Sequence, residues 1–448
     1  MANGSTYLRK QLANSDQKKW TLSVWVKRTD VGNSSTHKIF GSGGGTWEAE
    51  IAFNSNDKFS FYAWNGGSYA ARIQSNAAYR DINCWYHVVM RWDTANATAG
   101  ERMRAYINGE ELTSLQTNTV PAQNTNSEFN ANSQHEVGAG GSGNGIFSGL
   151  MSHMHFCDGQ SYAPTEFGET DTTTGEWKIK TDVSVTYGTQ GFFIFEDGTN
   201  LSGSTVQDQS GQSNDWTLQA GTLTKSEDNP SNVFATFNSL HNYYEGGTYA
   251  YGNNQITTGG SNKYTWNNST LAMTTGKYYA EFKWISGGSD ILFGITDKFT
   301  RSSTGELGNY DKQYAYRTNG TVRNNNGDLG GWSGSTWTTG DVVGVLLDMD
   351  NHKLYFSKNG VIQNSSTGIS ISTSPEDGCY YFSSCAYDDN SCVLQANFGN
   401  GVFGNTALTG TTYNGADGNG IFKYDPNSIT LDSTSKSFKS LSTKGLNA

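Results

Sequence analysis

The sequence predicts an all-β protein made of two antiparallel β-sandwiches joined by a partly structured connector. Composition is the first indication, because the 448 residues include 54 glycines and only 5 prolines, and 13% are aromatic. Aromatic and β-branched side chains suit a half-buried pleated surface, whereas glycine and asparagine supply the positive φ of tight turns. The second indication is that no stretch sustains the apolar repeat of an amphipathic helix. At about 150 residues per domain, this length corresponds to about three structural units.

The charge and the cysteines limit the expected partners and compartment. The net charge is −11 and lysines and arginines form no cluster, so we expect no nucleic-acid partner. Residues 1–20 lack the apolar segment of a signal peptide, and no run reaches the roughly 20 apolar residues of a membrane span, so we expect no membrane insertion. The odd number and wide spacing of the cysteines predict buried thiols in a reducing compartment rather than disulfides. They are Cys84, Cys157, Cys379, Cys385 and Cys392.

Alternating side chains predict the first sandwich, in residues 1–167. From Trp20 to Lys27, apolar residues occupy every second position, so one face of the strand points inward. Asn108-Gly109 follows such a run and predicts a two-residue hairpin, because a type I′ turn needs positive φ at both positions. Comparable runs lie at Glu48–Phe53, Lys58–Tyr62, Trp85–Trp92, Arg102–Ile107 and Leu150–Cys157.

Three further segments complete the predicted domain organisation. Residues 168–239 are a connector with local β structure, since Gly191–Glu196 forms a compact strand and a flexible linker holds fewer aromatic residues. Residues 240–400 form the second sandwich, in which the nearly all-apolar Asp341–Asp348 fits a central strand covered on both faces. Residues 401–448 are a C-terminal arm or strap, whose polar end fits a strap across another domain, a subunit contact or a disordered end.

Six motifs follow one another along the second sandwich, namely Gly276–Phe282, Phe293–Ile295, Gly340–Val345, Leu347–Asp350, Leu354–Gly360 and Asn397–Gly399. In this order they resemble the motifs of SPRY domains. The resemblance implies a sandwich that binds partners, usually peptides, through loops at one end.

Four shorter motifs mark the first sandwich, namely Trp20–Lys27, Trp85–Val89, Ala105–Gly109 and Phe147–Leu150. They are similar to motifs of the laminin-G-like and concanavalin-like jelly rolls. The resemblance implies a second binding module, and domains of this kind frequently hold calcium at a rim.

The order of the two domains is similar to that of structural proteins of marine tailed bacteriophages. Phe167–Asp171 and Ser210–Trp216 between the domains, and Gly420–Tyr424 near the end, carry this resemblance. It implies a virion component made in the host cytoplasm: a tail fibre, a tail appendage or a head decoration. The implied partners are other virion proteins and a host surface glycan or protein. We also expect a homo-oligomer, because copies arranged on a particle gain avidity without new contacts.

No constellation in the sequence predicts an enzyme. Glucanases of the concanavalin-like fold place Glu-x-Asp-x-Glu on one strand, which sets two carboxylates at a catalytic spacing. Glu48-Ala49-Glu50 lacks the aspartate, and its next alternate residue is Ala52. We therefore interpret Glu48 and Glu50 as solvated carboxylates on an exposed strand edge and expect no catalytic residue. Glycan turnover that is lost on changing either glutamate would support the alternative, a concanavalin-fold glycan hydrolase.

The sequence leaves open whether the protein binds a metal ion. No cofactor is expected, with bound calcium as the alternative. His153 and His155 share a strand face with Cys157, and Asp158 follows; such ligands suit zinc, although ordinary structural roles fit as well. Two acidic turns offer oxygen ligands for calcium, although such side chains often only cap their own turn. These turns hold Asp348, Asp350 and Asn351, and Asp388, Asp389 and Asn390.

Aromatic side chains in loops rich in Gly, Asn and Ser are the candidate binding residues. Rings above small polar residues suit sugar faces or protein hot spots, although rings also cap the ends of a core. The group in the second sandwich is favoured, because SPRY domains bind through loops. The candidates are Trp47, Trp64 and Tyr69 in the first sandwich and Tyr310, Tyr314, Tyr316, Trp332 and Trp337 in the second.

The leading hypothesis is therefore a non-enzymatic virion structural protein that adheres to a host surface through the rims of its sandwiches. The alternative from another class is an assembly protein that binds only other virion proteins. A binding assay of the isolated protein against host cells or envelope polysaccharide separates the two.

Overall fold

The computed structural model describes residues 5–197, 200–241, 246–259, 262–300, 305–388, 391–427 and 437–447. The chain divides into two compact units, which we call the N-terminal unit (Met1–Thr224) and the C-terminal unit (Lys225–Ala448). The segment expected as a separate connector is therefore shared between the two units, and the expected C-terminal arm lies within the second.

The N-terminal unit is built from short antiparallel strands. In chain order they are β1 (Tyr7–Gln11), β2 (Lys19–Arg28), β3 (His37–Gly43), β4 (Glu48–Phe53), β5 (Lys58–Trp64), β6 (Tyr69–Ala78), β7 (Trp85–Asp93), β8 (Met103–Ile107), β9 (Glu110–Glu111), β10 (Leu115–Thr119), β11 (Gln134–Val137), β12 (Gly149–Asp158), β13 (Gly168–Thr170), β14 (Trp177–Ile179), β15 (Phe192–Ile194), β16 (Leu201–Ser202), β17 (Thr205–Val206) and β18 (Trp216–Ala220).

Two sheets of this unit face each other across one core. The large sheet has the order β10-β6-β5-β4-β3-β11-β1-β18-β17-β16, the small sheet has the order β15-β12-β2-β7-β8-β9, and β13 pairs with β14 separately. Trp20, Leu22 and Val24 of β2 point into the core, so the predicted alternation is confirmed. The predicted hairpin is also confirmed, since Asn108 and Gly109 between β8 and β9 both have positive φ.

The former connector belongs to this core because its apolar side chains complete it. Strand β15 adds to the small sheet through β12, and β18 adds to the large sheet through β1. Phe192 and Trp216 are fully buried and pack edge to face with their ring centroids 4.8 Å apart. The segment before β15 also covers the outer face of the small sheet, where Trp25, His87 and Trp177 stack in sequence.

The C-terminal unit is a second sandwich of antiparallel strands. In chain order they are β19 (Gly247–Ala250), β20 (Gln255–Thr258), β21 (Lys263–Asn268), β22 (Lys277–Ser286), β23 (Ser289–Thr296), β24 (Tyr314–Arg317), β25 (Val322–Asn324), β26 (Gly327–Asp328), β27 (Val342–Asp348), β28 (Lys353–Lys358), β29 (Val361–Ile362), β30 (Ile369–Ser370), β31 (Tyr381–Asp388), β32 (Val393–Asn397), β33 (Val402–Phe403), β34 (Thr406–Ala407) and β35 (Lys439–Ser440).

Its larger sheet has the order β19-β20-β32-β22-β27-β28-β29, with β30 beside β28 and β35 beside β22. The facing sheet has the order β21-β31-β23-β24-β25-β26, and β33 pairs with β34. Every residue of β27 is buried, as predicted for a central strand covered on both faces. The chain is thus nearly all-β, as the sequence predicts.

The last part of the chain closes over the larger sheet of the C-terminal unit. We call residues 413–427 and 437–442 the strap. Its Phe422 and Phe438 are fully buried against Tyr279, Leu346 and Tyr355 on the outer face of that sheet. The structure therefore supports the strap among the roles left open for this segment.

Residues 233–235, near the start of the C-terminal unit, pair with residues 441–443, near its end. Ala235 donates a backbone hydrogen bond of 2.9 Å to Leu441, and Thr443 donates one of 2.9 Å to Val233. An antiparallel bridge joins Phe234 to Ser442 between them.

Helix is scarce in the described ranges. It comprises 3₁₀ turns at Ala99–Glu101, Pro164–Glu166 and Asn364–Ser366 and an α-helix, α1 (Thr443–Asn447). None of the helices within those ranges has the length and apolarity needed to cross a membrane.

Candidate binding groove of the N-terminal unit

An open groove of about 690 Å³ lies on the outer face of the large sheet in the N-terminal unit. Strands β3 to β6 form its floor, and the segments 30–36 and 144–148 contribute to its walls. Ile51, Phe61 and Ile73 of the floor strands point into the core. Because side chains alternate along a strand, their neighbours point outward into the groove.

The outward side chains form two rows across the strands. The first row is Glu50, Tyr62 and Arg72, which are paired in register on β4, β5 and β6. The second row is Lys38, Ala52, Ser60 and Gln74, from β3 to β6. The small residues in the middle of the second row leave the floor low between longer polar side chains. This arrangement provides a shallow bed with hydrogen-bonding groups on both sides.

The Glu50 carboxylate is paired with a lysine side chain and is not exposed to solvent. Its side chain accepts a hydrogen bond from the Lys38 ammonium, which also contacts Asn144 Oδ1. Glu50 is only 2% exposed. The expectation of solvated carboxylates on an exposed edge is wrong, because β4 lies between β3 and β5 inside the sheet.

Tyr62 is a permanent hydrogen-bond donor in the first row. Its hydroxyl donates to Glu48 Oε1 at 3.0 Å. Burial and the neighbouring carboxylates of Glu50 and Glu48 raise the pKa of Tyr62 far above its ordinary value. The phenol therefore keeps its proton at neutral pH.

The structure brings two predicted binding residues together at one end of the groove. The rings of Trp64 and Tyr69 lie edge to face with centroids 5.0 Å apart, and Tyr62 lies 5.6 Å from Tyr69. Tyr69 is 41% exposed and lines the groove. Trp47 is 54% exposed in the turn before β4, whose first residue pairs with Trp64. Binding by these three residues stays a prediction, but their rings are accessible.

The expected exposure of the second aromatic group is wrong for three of its members. Tyr314 and Tyr316 share the inward face of β24 and are 7% and 0% exposed. Trp337 is 4% exposed and stacks on the core residue Phe293, with ring centroids 5.2 Å apart. These rings fill the end of the core, which is the ordinary structural role of an aromatic residue in a sandwich.

The other two members of this group are half-buried. Trp332 packs against the core, and its indole N–H donates to the Gly320 carbonyl at 3.0 Å. Tyr310 also keeps part of its surface accessible. Neither lies in the groove described above, and their role in binding stays a prediction.

The histidines considered as metal ligands have other partners. His155 stacks on Phe193 with ring centroids 4.0 Å apart, and its Nδ1 is 2.8 Å from the Tyr187 hydroxyl. Burial lowers the pKa of His155 well below its ordinary value. Within the described part of the chain, no cluster of three or more His, Cys, Asp or Glu side chains could hold a metal ion.

The structure describes only one of the two acidic turns considered as calcium sites. Asp348 forms an ion pair of 3.2 Å with Lys277 and accepts a hydrogen bond from the Asn351 side chain. Asp350 accepts from the backbone N–H of Gly276 at 2.7 Å. The second candidate turn cannot be judged, because Asp389, Asn390 and the side chain of Asp388 lie outside the described residues.

A serine–histidine pair in the small sheet does not form a nucleophile. Ser23 Oγ lies 2.8 Å from His87 Nε2, and the Trp177 indole N–H donates to His87 Nδ1 at 3.0 Å. A neutral imidazole has one donor and one acceptor, so Nε2 carries the proton and donates to Ser23. Burial lowers the pKa of His87 to about 3. His87 is therefore unable to take the proton of Ser23.

Comparison with known proteins assigns both sandwiches. Residues 2–166 match the family model of the concanavalin A-like lectin/glucanases superfamily, and residues 277–401 match the SPRY domain. The predicted concanavalin-like first domain and SPRY second domain are thus confirmed.

Several solved structures are similar to parts of the chain. The SPRY domain of human HERC1 is 18% identical, with 32% of this chain and 87% of that chain covered and a TM-score of 0.28. A second human SPRY domain is 19% identical, with 32% and 90% covered and a TM-score of 0.27. The heptameric SAP-like pentraxin of Limulus polyphemus is 17% identical, with 35% and 71% covered and a TM-score of 0.27.

Proposed function

We propose that this chain is a structural adhesion protein of a virion and that its N-terminal unit binds a host surface glycan in the groove. The observation that supports glycan binding is the groove itself. It presents amides, hydroxyls and charged groups in two rows beside the partly exposed ring of Tyr69. Sugar rings have an apolar face and a rim of hydroxyls, which such a surface complements.

The family match supports a binding role for the N-terminal unit. The model that residues 2–166 match is described as one of lectins and glucanases. The side chains that line the groove include the Lys38–Glu50 ion pair and the neutral Gln74 and Ser60. A tail fibre, a tail appendage or a head decoration would use many copies of this weak site, since repeated display raises avidity.

Two further observations support the placement on a virion. The segments that resemble marine tailed-bacteriophage structural proteins lie between the domains and near the end of the chain. The cysteines Cys84, Cys157, Cys379, Cys385 and Cys392 are all free thiols, which fits synthesis in a reducing cytoplasm. The expected partners are other virion proteins, and the expected state is a homo-oligomer.

The test combines imaging and binding. An antibody against the chain should label intact particles, and absence of labelling would end the virion proposal. The full-length protein should bind host cells and their extracted surface polysaccharide, and Tyr69→Ala should weaken this binding. Leu240→Ala, which removes an exposed apolar side chain of the other unit, is the control.

The alternative functions predict different results in the same experiment. A protein that binds only other virion proteins would ignore both cells and polysaccharide. A glycan hydrolase would shorten the polysaccharide, and Glu48→Gln or Glu50→Gln would abolish that turnover.

A further inference from the structure

Arg72 stands at one end of the first row of the groove. It lies on β6 between the inward-facing Ala71 and Ile73, so its side chain points out of the sheet. It lines the groove and is half-buried. The same strand places Gln74 two residues further along the groove floor.

The groove's other cations are already neutralised. Lys38 is bound to Glu50. His37 lies 3.9 Å from Asp30, and burial lowers its pKa, which keeps the ring neutral at physiological pH. Arg72, in contrast, has no carboxylate within ion-pair distance among the residues that the structure describes.

The contrast extends to other arginines of the same unit. Arg9 pairs with Glu136, Arg28 pairs with Asp57, and Arg104 pairs with Glu111 at 3.0 Å. Arg91 and Arg102 have no carboxylate partner either, but each makes three hydrogen bonds to hydroxyls or backbone carbonyls. Arg72 has neither a carboxylate nor more than one hydrogen bond among the described residues. A half-buried arginine without an anion is well suited to receive one from a ligand.

Arg72 is also held in position. Its guanidinium carbon lies 4.7 Å above the centre of the Tyr69 ring. Its one recorded hydrogen bond within the described residues is a long one, 3.3 Å from Nη2 to Gln74 Oε1. Stacking orients the guanidinium plane but does not use its N–H groups, which lie in that plane. Little ordering is then needed when those groups bind an oxyanion in a bidentate manner.

Three carboxylates lie near the groove, and none is within ion-pair distance of Arg72 among the described residues. Glu48 is the one at this end, and it accepts a hydrogen bond of 3.0 Å from the Tyr62 hydroxyl. Glu50 belongs to the same row but lies two strands away, about 10 Å at the usual strand spacing, and is paired with Lys38. Asp30 belongs to the wall segment beside His37, on the β3 side of the groove. Arg72, on the β6 side, is therefore the cation of the groove that is left without an ion-pair partner.

We infer that the groove takes an acidic glycan and that Arg72 binds its carboxylate or sulfate group. This inference rests on the proposed glycan binding and adds the ligand's chemical class. Uronic-acid carboxylates and sulfate esters share the oxyanion that a guanidinium recognises. The experiment separates these two sources.

The test uses a glycan microarray in which each backbone is present in neutral, uronic-acid and sulfate-ester forms. The full-length protein should prefer acidic forms, and the better of the two acidic classes identifies the anion. Affinity for the best glycan is then measured by biolayer interferometry. Arg72→Met should weaken it roughly ten- to a hundredfold, as expected for charge-assisted hydrogen bonds, and Arg72→Lys should retain part of it.

Arg104→Met is the matched control, because Arg104 lies on β8 of the other sheet and is paired with acidic residues. It should leave the affinity unchanged. Binding of neutral forms as tightly as acidic ones, or acidic binding that survives Arg72→Met, overturns the inference while the proposed glycan binding stands. Failure to bind any glycan overturns both. Thermal unfolding of each variant verifies that it is folded.

Discussion

The outer faces of the two large sheets differ in whether the chain covers them. In the N-terminal unit, β3 to β6 leave an open groove. In the C-terminal unit, β22, β27 and β28 are covered by the strap. Each face carries an outward glutamate beside a tyrosine: Glu50 with Tyr62, and Glu281 with Tyr279. Similar strand patterns thus leave an open face in one unit and a face covered by the chain itself in the other.

The difference lies in how the two glutamates are satisfied. Glu50 is paired with the Lys38 ammonium. Glu281 is completely buried, and its hydrogen bonds come from neutral groups. Two of these donors are backbone N–H groups of the strap, from Lys423 at 3.0 Å and Tyr424 at 2.8 Å. The strap therefore supplies hydrogen-bond donors to a buried carboxylate that would otherwise lack them.

A row of outward apolar side chains across β22, β27 and β28 explains why the strap packs on this face. Tyr279, Leu346 and Tyr355 are paired in register on β22, β27 and β28, and they present a continuous apolar surface. Phe422 packs edge to face on Tyr279 with ring centroids 4.9 Å apart. The corresponding strands of the N-terminal unit present polar side chains, so that face offers no comparable apolar surface. Outward polarity decides whether a sheet face is covered or available.

The largest expected effect tests the covered face. Phe422→Ala should lower the free energy of unfolding of the C-terminal unit by about 3–5 kcal/mol, because it removes a buried ring and leaves a cavity. Urea denaturation followed by tryptophan fluorescence measures it. Val361→Ala, at a position 66% exposed, should change stability by less than about 0.5 kcal/mol. Equal effects of the two would show that the strap does not stabilise the unit.

The second prediction concerns pH. Burial raises the pKa of Glu281 to about 7 from its ordinary 4.5, despite the donors around it. Between these values the folded unit binds a proton that the unfolded chain releases. The free energy of unfolding should therefore fall as pH rises from about 4.5 to about 7, by roughly 3 kcal/mol.

The control for this pH effect is Glu281→Gln, which cannot ionise. Its unfolding free energy should lose the decrease contributed by Glu281 over that pH range. Tyr279 donates to the same carboxylate, but burial raises its pKa well above the ordinary value, so it does not titrate there. A variant with the same pH profile as the native chain would contradict the assignment.

The third prediction removes the cation that distinguishes the open face. Lys38→Met should destabilise the N-terminal unit by about 2 kcal/mol, because Glu50 loses its partner while only 2% exposed. Lys58→Met is the matched control, since Lys58 bonds to the neutral side chain of Gln116. Denaturation of both variants, side by side with polysaccharide binding, checks the prediction. A loss no greater than that of Lys58→Met would contradict it.

The smallest expected effect on stability is that of Tyr69→Ala. The ring is 41% exposed, so its loss should cost less than about 1 kcal/mol of unfolding free energy. Glycan affinity, in contrast, should fall about tenfold, because the ring also supports Arg72. Paired measurements of Tm and affinity test this separation. A large fall in Tm with unchanged affinity would place Tyr69 among the structural residues.

The sandwich strands were predictable because their signal is local. Alternation identified β2 and β4, and the apolar run identified β27. The covering segments were not predictable in this way. Phe192, Trp216 and Phe422 are apolar in any arrangement, and only contacts with distant strands show which core or face they complete.

The candidate site was partly predictable. Trp64 and Tyr69 were selected as accessible rings, and the structure keeps them accessible beside the groove. Arg72 was missed although it shares the alternation of β6, because the sequence does not show which strands lie side by side. The same missing strand order led to Glu50 being placed on an edge. Tyr316 was misplaced because a loop-like composition concealed its inward-facing position on β24.

The backbone bonds that join residues 233–235 to residues 441–443 have a mechanical consequence. Because Ala235 donates to Leu441 and Thr443 donates to Val233, the two segments run antiparallel. A force that pulled Val233 and Thr443 apart would load these bonds one after the other, so each would have to resist the force alone.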